Sequence, residues 1–394
     1  MHWAARCRHA WQKIWRKIEL LVLQANVMPW LFFDGLLAEL CKEFLRHVCF
    51  YNSLSMDAPH YPLVSILIAA RNEEANIAAC LDAICAQNYP AERMEIWVGN
   101  DQSEDGTCEI IQHFENDYPN IHALLIETKW KHLKGKANVL AQLAHKAQGD
   151  YYFITDADVT VQPNWIKTML ANFTTGVGVI TGVTAVEGKT LFARLQNAEW
   201  LFYTAHGDMN AKKDKPVTAM GNNMAVTKQA YWETGGYENI PFSVTEDYEL
   251  FRSVIKNGHT FKSVFEPGAL AYTKPLPTFK ALLHQRKRWF TGAFQLPLPF
   301  ITGLVVLWAF LAILLVVGYF WGWKIAATLL LIKWVADVYL LRKSCKTLGL
   351  KIDAAVWLYT PVSAICNTVF LLYQFMPAPV QWKGRKYHRP YDRG

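Results

Sequence analysis

Three apolar runs in the first half of the chain each end in acids, and this repetition restricts the fold more than any other feature. LVSILIAA closes on Arg71-Asn72-Glu73-Glu74, MEIWVGND on Asn100-Asp101, and DYYFITDAD on Asp156-Ala157-Asp158. Short continuous apolar runs of this kind are buried parallel strands. Helical patterns stand between them (NIAACLDAICAQ, CEIIQHFEN and KANVLAQLAHKA), with one more strand pattern in HALLIET. Strand and helix alternating at this rhythm predict an open α/β sheet, whose ligand crevice lies at the carboxyl ends of the strands. The acids fall at those ends.

The second half reads differently. Residues 51 to 290 carry charges throughout, whereas 296 to 376 hold long apolar runs separated by short basic or turn-like breaks. A chain of 394 residues that is 52% hydrophobic, with the excess gathered in this way, reads as a soluble domain followed by a membrane region. Residues 301 to 320 are a candidate crossing, since about 20 apolar residues span a bilayer core. Residues 325 to 341 and 354 to 375 are two more, the last interrupted by Pro361 and Asn367. Three crossings would leave the basic tail WKGRKYHRPYDRG opposite the soluble domain, against the positive-inside tendency. Either one segment is re-entrant or interfacial, with the Pro361 segment the first choice, or the tail breaks the tendency. At the other end, Arg6, Arg8, Lys13, Arg16 and Lys17 alternate with Trp3, Trp11 and Trp15, a pattern suited to a basic helix on an anionic membrane surface.

The expected divisions are an interfacial region at 1–55, the α/β domain at 56–278, an interfacial segment at 279–300, the membrane region at 301–376 and a basic tail at 377–394. The formal charge of +7 is concentrated beside apolar segments and at the termini, which favours a membrane surface over nucleic acid as its partner. Eight scattered cysteines without a CxxC pair read as reduced thiols of a cytosol-facing protein.

Each polar cluster has two readings. Asp156 and Asp158, at i and i+2 on a strand end, share a face and suit Mg²⁺ or another hard divalent cation whose shell is completed by phosphates; they are equally a solvated strand end. Asp101 stands where open α/β sheets hold nucleotide groups, or in a plain Asx-rich turn, and Glu73 poses the same choice. Lys136, ahead of a helix, is either a phosphate ligand or a basic loop residue. In Thr245-Glu246-Asp247 the acids are N-terminal helix charge, or one of them is a general base. Gln285-Arg286-Lys287-Arg288-Trp289, just before the apolar region, reads locally as membrane-edge punctuation.

Together, ARNEE, NDQSEDGT, GKANVL, TDADV, GNNMAV, TED and QRKRW occur in an order that resembles the membrane-bound family 2 glycosyltransferases, the branch of ceramide glucosyltransferases and of cellulose, hyaluronan and chitin synthases. The resemblance covers about residues 62 to 290, with a further likeness in WKGRKY near the end. It implies a GT-A fold, a mostly parallel sheet binding a nucleotide sugar, UDP-linked by expectation, with Mg²⁺ or Mn²⁺. By position, Glu73, Asp101 and Asp156 would contact the nucleoside, Lys136 its vicinity, and Asp158, with Asp156, the metal. Asp247, beside Glu246, matches the catalytic base. Gly221, Asn222 and Asn223 match the acceptor loop. Gln285, Arg288 and Trp289 match the motif that holds the diphosphate and frames the acceptor, leaving Arg286 and Lys287 as surface charge. Asn100 departs from the pattern, because many members carry an aspartate there.

The reaction so implied is an inverting transfer from a nucleotide sugar to a lipid in a membrane, with the catalytic domain on the cytoplasmic side of a bacterial inner membrane. A processive polysaccharide synthase shares every motif but needs a polar tunnel, normally built from more crossings or from further subunits. A non-catalytic membrane scaffold predicts erosion at Asp158, Asp247 or Arg288, and all three are intact.

Overall fold

The computed structural model describes residues 61–387, less 131, 217–219, 242, 294–295, 297, 377–379 and 383–384. The segment expected to lie on a membrane at 1–55 and the end of the basic tail are outside the described residues. Cys80, Cys85, Cys108, Cys345 and Cys366 are free thiols.

The main sheet contains β1 (Val64–Ala70), β2 (Met94–Asn100), β3 (Ile121–Leu125), β4 (Tyr151–Asp156), β6 (Val177–Thr181), β8 (Asn223–Thr227) and β9 (Thr260–Ser263). Its order is β3-β2-β1-β4-β8-β6-β9. The first four neighbours run parallel and β8 is antiparallel to both β4 and β6. A small second sheet joins β5 (Val159–Val161), β7 (Val183–Val186) and β10 (Leu270–Thr273). This is the mixed α/β architecture with a mostly parallel sheet that the strand rhythm predicts.

Period-two alternation explains how β1 holds two layers together. Ile66 and Ile68 enter one core with Ile77 and Leu81 of helix α1 (Ile77–Cys85), while Leu67 enters another with Leu140 and Leu143 of the later helix Lys136–Lys146. Helix α2 (Thr107–Asp117) follows β2, and Lys136–Lys146 is α3. Register then aligns the polar strand ends: Ala70 pairs with Asn100, Ala69 with Asp156, and Thr155 with Asn223. All four motifs therefore open at one edge of the sheet.

The remaining helices are α4 (Trp165–Leu170), α5 (Leu191–Ala211), α6 (Lys228–Glu233), α7 (Glu246–Lys256), α8 (Phe279–Ala293), α9 (Leu298–Trp308), α10 (Phe310–Trp321), α11 (Trp323–Leu348) and α12 (Ala354–Gln374). In the apolar region two expectations are corrected. The run at 301–320 is not one straight helix, because α9 and α10 meet at a 66° bend. No Gly or Pro marks that break in the sequence; Trp308 is buried there, stacked on Phe290 and donating through its indole N–H to the Tyr203 hydroxyl at 3.2 Å. Conversely, the Pro361 segment is continuous helix. Proline at that position frees the Trp357 carbonyl, and the Trp334 indole N–H donates to it at 2.8 Å, so the usual penalty is met by a neighbouring helix.

Among the described residues α12 is long and apolar enough to cross a membrane, and the bent pair would be a second if counted as one span. Large apolar side chains, including Leu298, Phe320, Trp321, Trp323, Ile332 and Leu372, are exposed along this region. The WKGRKY tail forms a short antiparallel hairpin of β11 (Val380–Trp382) and β12 (Arg385–Tyr387).

Candidate active site

The first two strand ends are fastened to each other by backbone. The Asp101 amide donates to the Ala70 carbonyl at 2.9 Å, and the Arg71 guanidinium donates to the carbonyls of Asp101 and Gln102. Asn72 and Gln102 take left-handed φ angles of 51° and 56°, which reverse the chain at each strand end. The Glu73 amide donates to Thr107 Oγ1 at 2.8 Å, and Asn76 to its carboxylate, so Glu73 is held at the mouth of β1 and buried. Below them lies Cys80, whose thiol donates to the Asp156 carbonyl at 3.5 Å. Burial, then the carboxylates of Asp158, Asp156 and Glu73, push this thiol far above its ordinary value. It stays protonated, and its surroundings record that these three acids share one place.

Asp156 and Asp158 are both partly exposed, with buried Ala157 between them. Thr273 Oγ1 donates to Asp158 at 3.5 Å. Two carboxylates on one face fit a hard cation that takes its other ligands from phosphate and water. The protein does not complete a cage by itself, since no group of three His, Cys, Asp or Glu suited to a metal occurs among the described residues.

Lys136 joins this edge to the TED segment. Gly135, with φ of 55°, turns the chain into α3 so that Lys136 is its first residue. The buried ammonium lies 2.5 Å from Asp156 Oδ1 and 3.5 Å from Glu246 Oε1, and donates to the Gly221 carbonyl at 3.1 Å. Burial alone would lower its pKa, but Asp156, Glu246 and Asp247 raise it above the ordinary lysine value. A cation fixed among three carboxylates is a cross-strut of the site as well as a phosphate-binding candidate.

The two acids of TED sit in different surroundings. Glu246 is pushed up to about 7 by burial, with Asp247 adding to the rise and Lys136 and Arg288 opposing it. Asp247 instead accepts from the Gly221 amide at 2.7 Å and from the Tyr248 amide at 2.8 Å. A Cβ on Gly221 would lie 2.4 Å from Asp247 Cβ, so glycine is required for the loop to approach this closely. In the same loop the buried Asn222 takes Thr184 Oγ1 on its side-chain oxygen, and Asn223 is wholly buried, with its carboxamide bound to Trp165, Val183 and Ala269. Asn223 thus ties the two sheets together, while Gly221 faces the acids.

The five residues of QRKRW divide differently from the sequence expectation. Arg286 and Lys287, expected at the surface, are buried. Arg286 forms a two-pronged pair with Glu199 of α5 at 2.9 and 2.5 Å, donates to Gln285 Oε1, and stacks 4.2 Å from the Trp289 ring centroid. Burial is tolerable because the guanidinium is fully paired. The Lys287 ammonium donates to the Met376 carbonyl at 2.6 Å. Arg288 reaches toward the TED segment, donating weakly to the Val244 carbonyl at 3.4 Å, and Trp289 meets Trp200 edge to face at 5.2 Å. What seats α8 beside TED is Gly292: a Cβ there would lie 2.4 Å from Thr245 Cγ2. Neither Glu199 nor Gly292 stands out in the sequence.

Comparison with known proteins follows the same lines. A beta-monoglucosyldiacylglycerol synthase of Synechocystis sp. is 28% identical over 243 residues, 60% of this chain and 48% of that one. A probable glycosyltransferase, YdaM, of Bacillus subtilis is 31% identical over 247 residues, 61% and 57% of the two chains. A poly-beta-1,6-N-acetyl-D-glucosamine synthase of Staphylococcus aureus is 28% identical over 243 residues, 59% and 55%. The matches span about half the length of these curated relatives. Among solved structures, the mannosyltransferase PcManGT of Pyrobaculum calidifontis in complex with GDP-Man and Mn²⁺ is 18% identical, with a TM-score of 0.48 covering 81% of this chain and 89% of that one. The profile of glycosyl transferase family 21 matches residues 10–392, nearly the whole sequence, and the chain belongs to that family.

Proposed function

We propose that the chain transfers a sugar, with inversion, from a nucleotide sugar, UDP-linked, to a hydroxyl of a lipid held in a membrane. The observation that carries this reading is the single polar network in which Lys136 and Gly221 join the strand-end acid Asp156 to Glu246 and Asp247. Donor and acceptor chemistry then meet at one place. Family membership supports sugar transfer, and the glucosyldiacylglycerol synthase among the relatives supports a lipid acceptor. The exposed apolar side chains of the C-terminal helices support a membrane location, and in this reading the α/β domain lies on its cytoplasmic side.

In this reading Glu73, Asp101 and Asp156 receive the nucleoside, and Asp158 with Asp156 would hold a divalent cation, Mg²⁺ or Mn²⁺. A cation held there would neutralise charge on the departing diphosphate. Arg288 and Gln285 face the same leaving group, and Trp289 borders the acceptor. Asp247 is the base that takes the acceptor hydroxyl proton as that oxygen attacks the anomeric carbon. Its two backbone amide partners, of Gly221 and Tyr248, hold the carboxylate in place. Glu246 holds Lys136 in place.

The test is Asp247→Asn. With purified protein, nucleotide sugars, Mg²⁺ or Mn²⁺ and a lipid extract, the expected result is loss of transfer by about 10²- to 10⁴-fold with nucleotide affinity retained. Normal turnover would overturn the base assignment. A ladder of product masses in the wild-type assay, instead of one increment, would identify the polymer-forming alternative that the Staphylococcus relative represents.

A further inference from the structure

A cavity of about 50 Å³ lies between α5, α8 and α12. Phe192, Leu195, Leu282, Val362 and Phe370 give it apolar walls, and Asn367, Gln196 and Glu199 place polar groups among them. Gln196 is engaged at both ends by Leu276, and Glu199 by Arg286. Asn367 differs from both. It is 2% exposed, lines the cavity, and its carboxamide has no hydrogen-bond partner among the described residues. Burying an unpaired amide is costly, and a site that keeps one is built to pair it with something else.

We infer that this cavity receives the ester or amide carbonyl of the lipid acceptor, hydrogen-bonded to Asn367, with the apolar walls against the atoms next to that group. The inference rests on the lipid-transfer reading above and names the place where that acceptor is held. Amphiphile chemistry fits the lining, because a carboxamide both donates and accepts among walls that are largely apolar, with Gln196, Glu199 and Ser363 engaged within the protein. Position fits as well. Glu199 in the wall grips Arg286, Arg286 stacks on Trp289, and six residues further along α8 Gly292 touches Thr245. Six residues of helix rise about 9 Å, so α8 itself links the cavity wall to the TED segment.

Two measurements test it on the full-length chain in lipid nanodiscs. In the first, a diacylglycerol and a ceramide, each carrying a diazirine beside the carbonyl, are photolysed and the adducts mapped by mass spectrometry. Adducts within 192–199 or 362–370 that unlabelled lipid competes away are expected; competed adducts confined to other segments overturn the site. In the second, Asn367→Leu is expected to raise the acceptor KM about tenfold with kcat within twofold, and to leave Tm equal or higher, because an unpaired amide has been replaced by an apolar group. A structural role for Asn367 would lower Tm instead. Cys366→Phe, which fills the cavity from the next position, should suppress the adducts and raise KM in the same way. Unchanged KM in both variants, with transfer intact, overturns the cavity assignment alone. Competed adducts in the cavity of a wild-type protein that transfers no sugar overturn the transferase reading and leave the lipid site standing.

Discussion

At the strand ends, Asp156, Asp158 and Glu246 lie within motifs a few residues long, partly open to the crevice or one lysine away from it. In the helical half, Arg286 and Glu199 meet from 87 positions apart and are sealed from solvent. The contrast has a physical origin. Asp156 and Glu246 share one lysine, so a change at either acid is felt by the other through Lys136. A buried guanidinium–carboxylate pair responds to nothing; it fixes α8 against α5 and so places Arg288 and Trp289. One half of the site supplies adjustable charge and the other supplies position.

The largest expected effect separates these jobs. Glu199→Ala strands the Arg286 charge in the interior and should cost about 3 to 5 kcal/mol in denaturant or thermal unfolding, whereas the paired change Glu199→Met with Arg286→Met should recover most of it. If the single change were mild, the pair would be no anchor and the comparison would fail. A smaller effect is expected at the seam between the halves. Gly292→Ala drives a methyl group into Thr245, at a cost of about 1 to 3 kcal/mol. Transfer should fall about tenfold while nucleotide affinity, read by calorimetry, holds. Equal losses of both would mean that α8 also shapes the donor crevice.

The smallest effect concerns Glu246. Its folded pKa of about 7 exceeds the ordinary 4.5, so over that window the folded protein holds a proton that the unfolded chain releases. The stability this gives is fully present below pH 4.5 and is lost as pH rises through about 7. The slope for one proton is at most about 1.4 kcal/mol per pH unit. Subtracting the Glu246→Gln stability profile from the wild-type profile should isolate that downward slope; parallel profiles would show Glu246 to be ionised throughout.

The same division governs what could be read from the amino acids. The α/β sheet was legible because β1, β2 and β4 each carry their own apolar run and their own terminal acid. TED and QRKRW were legible as local clusters. Arg286 was misread as surface charge because its partner is distant and α8 looks amphipathic either way. Gly292 carries no local signal, since a glycine within a helix reads as a weakness until the opposing Thr245 is known. The break after Trp308 and the continuity through Pro361 were missed for a related reason. Both depend on indole N–H groups, of Trp308 and Trp334, finding acceptors on other helices.

Gly221 joins the two charge systems through its backbone alone, giving its carbonyl to Lys136 and its amide to Asp247. A backbone amide bound to a carboxylate resonates far downfield, and its shift follows the charge on that carboxylate. An isotope-labelled Gly221 is therefore a built-in spectroscopic gauge, reporting from one residue on any change at the Lys136 ammonium or the Asp247 carboxylate.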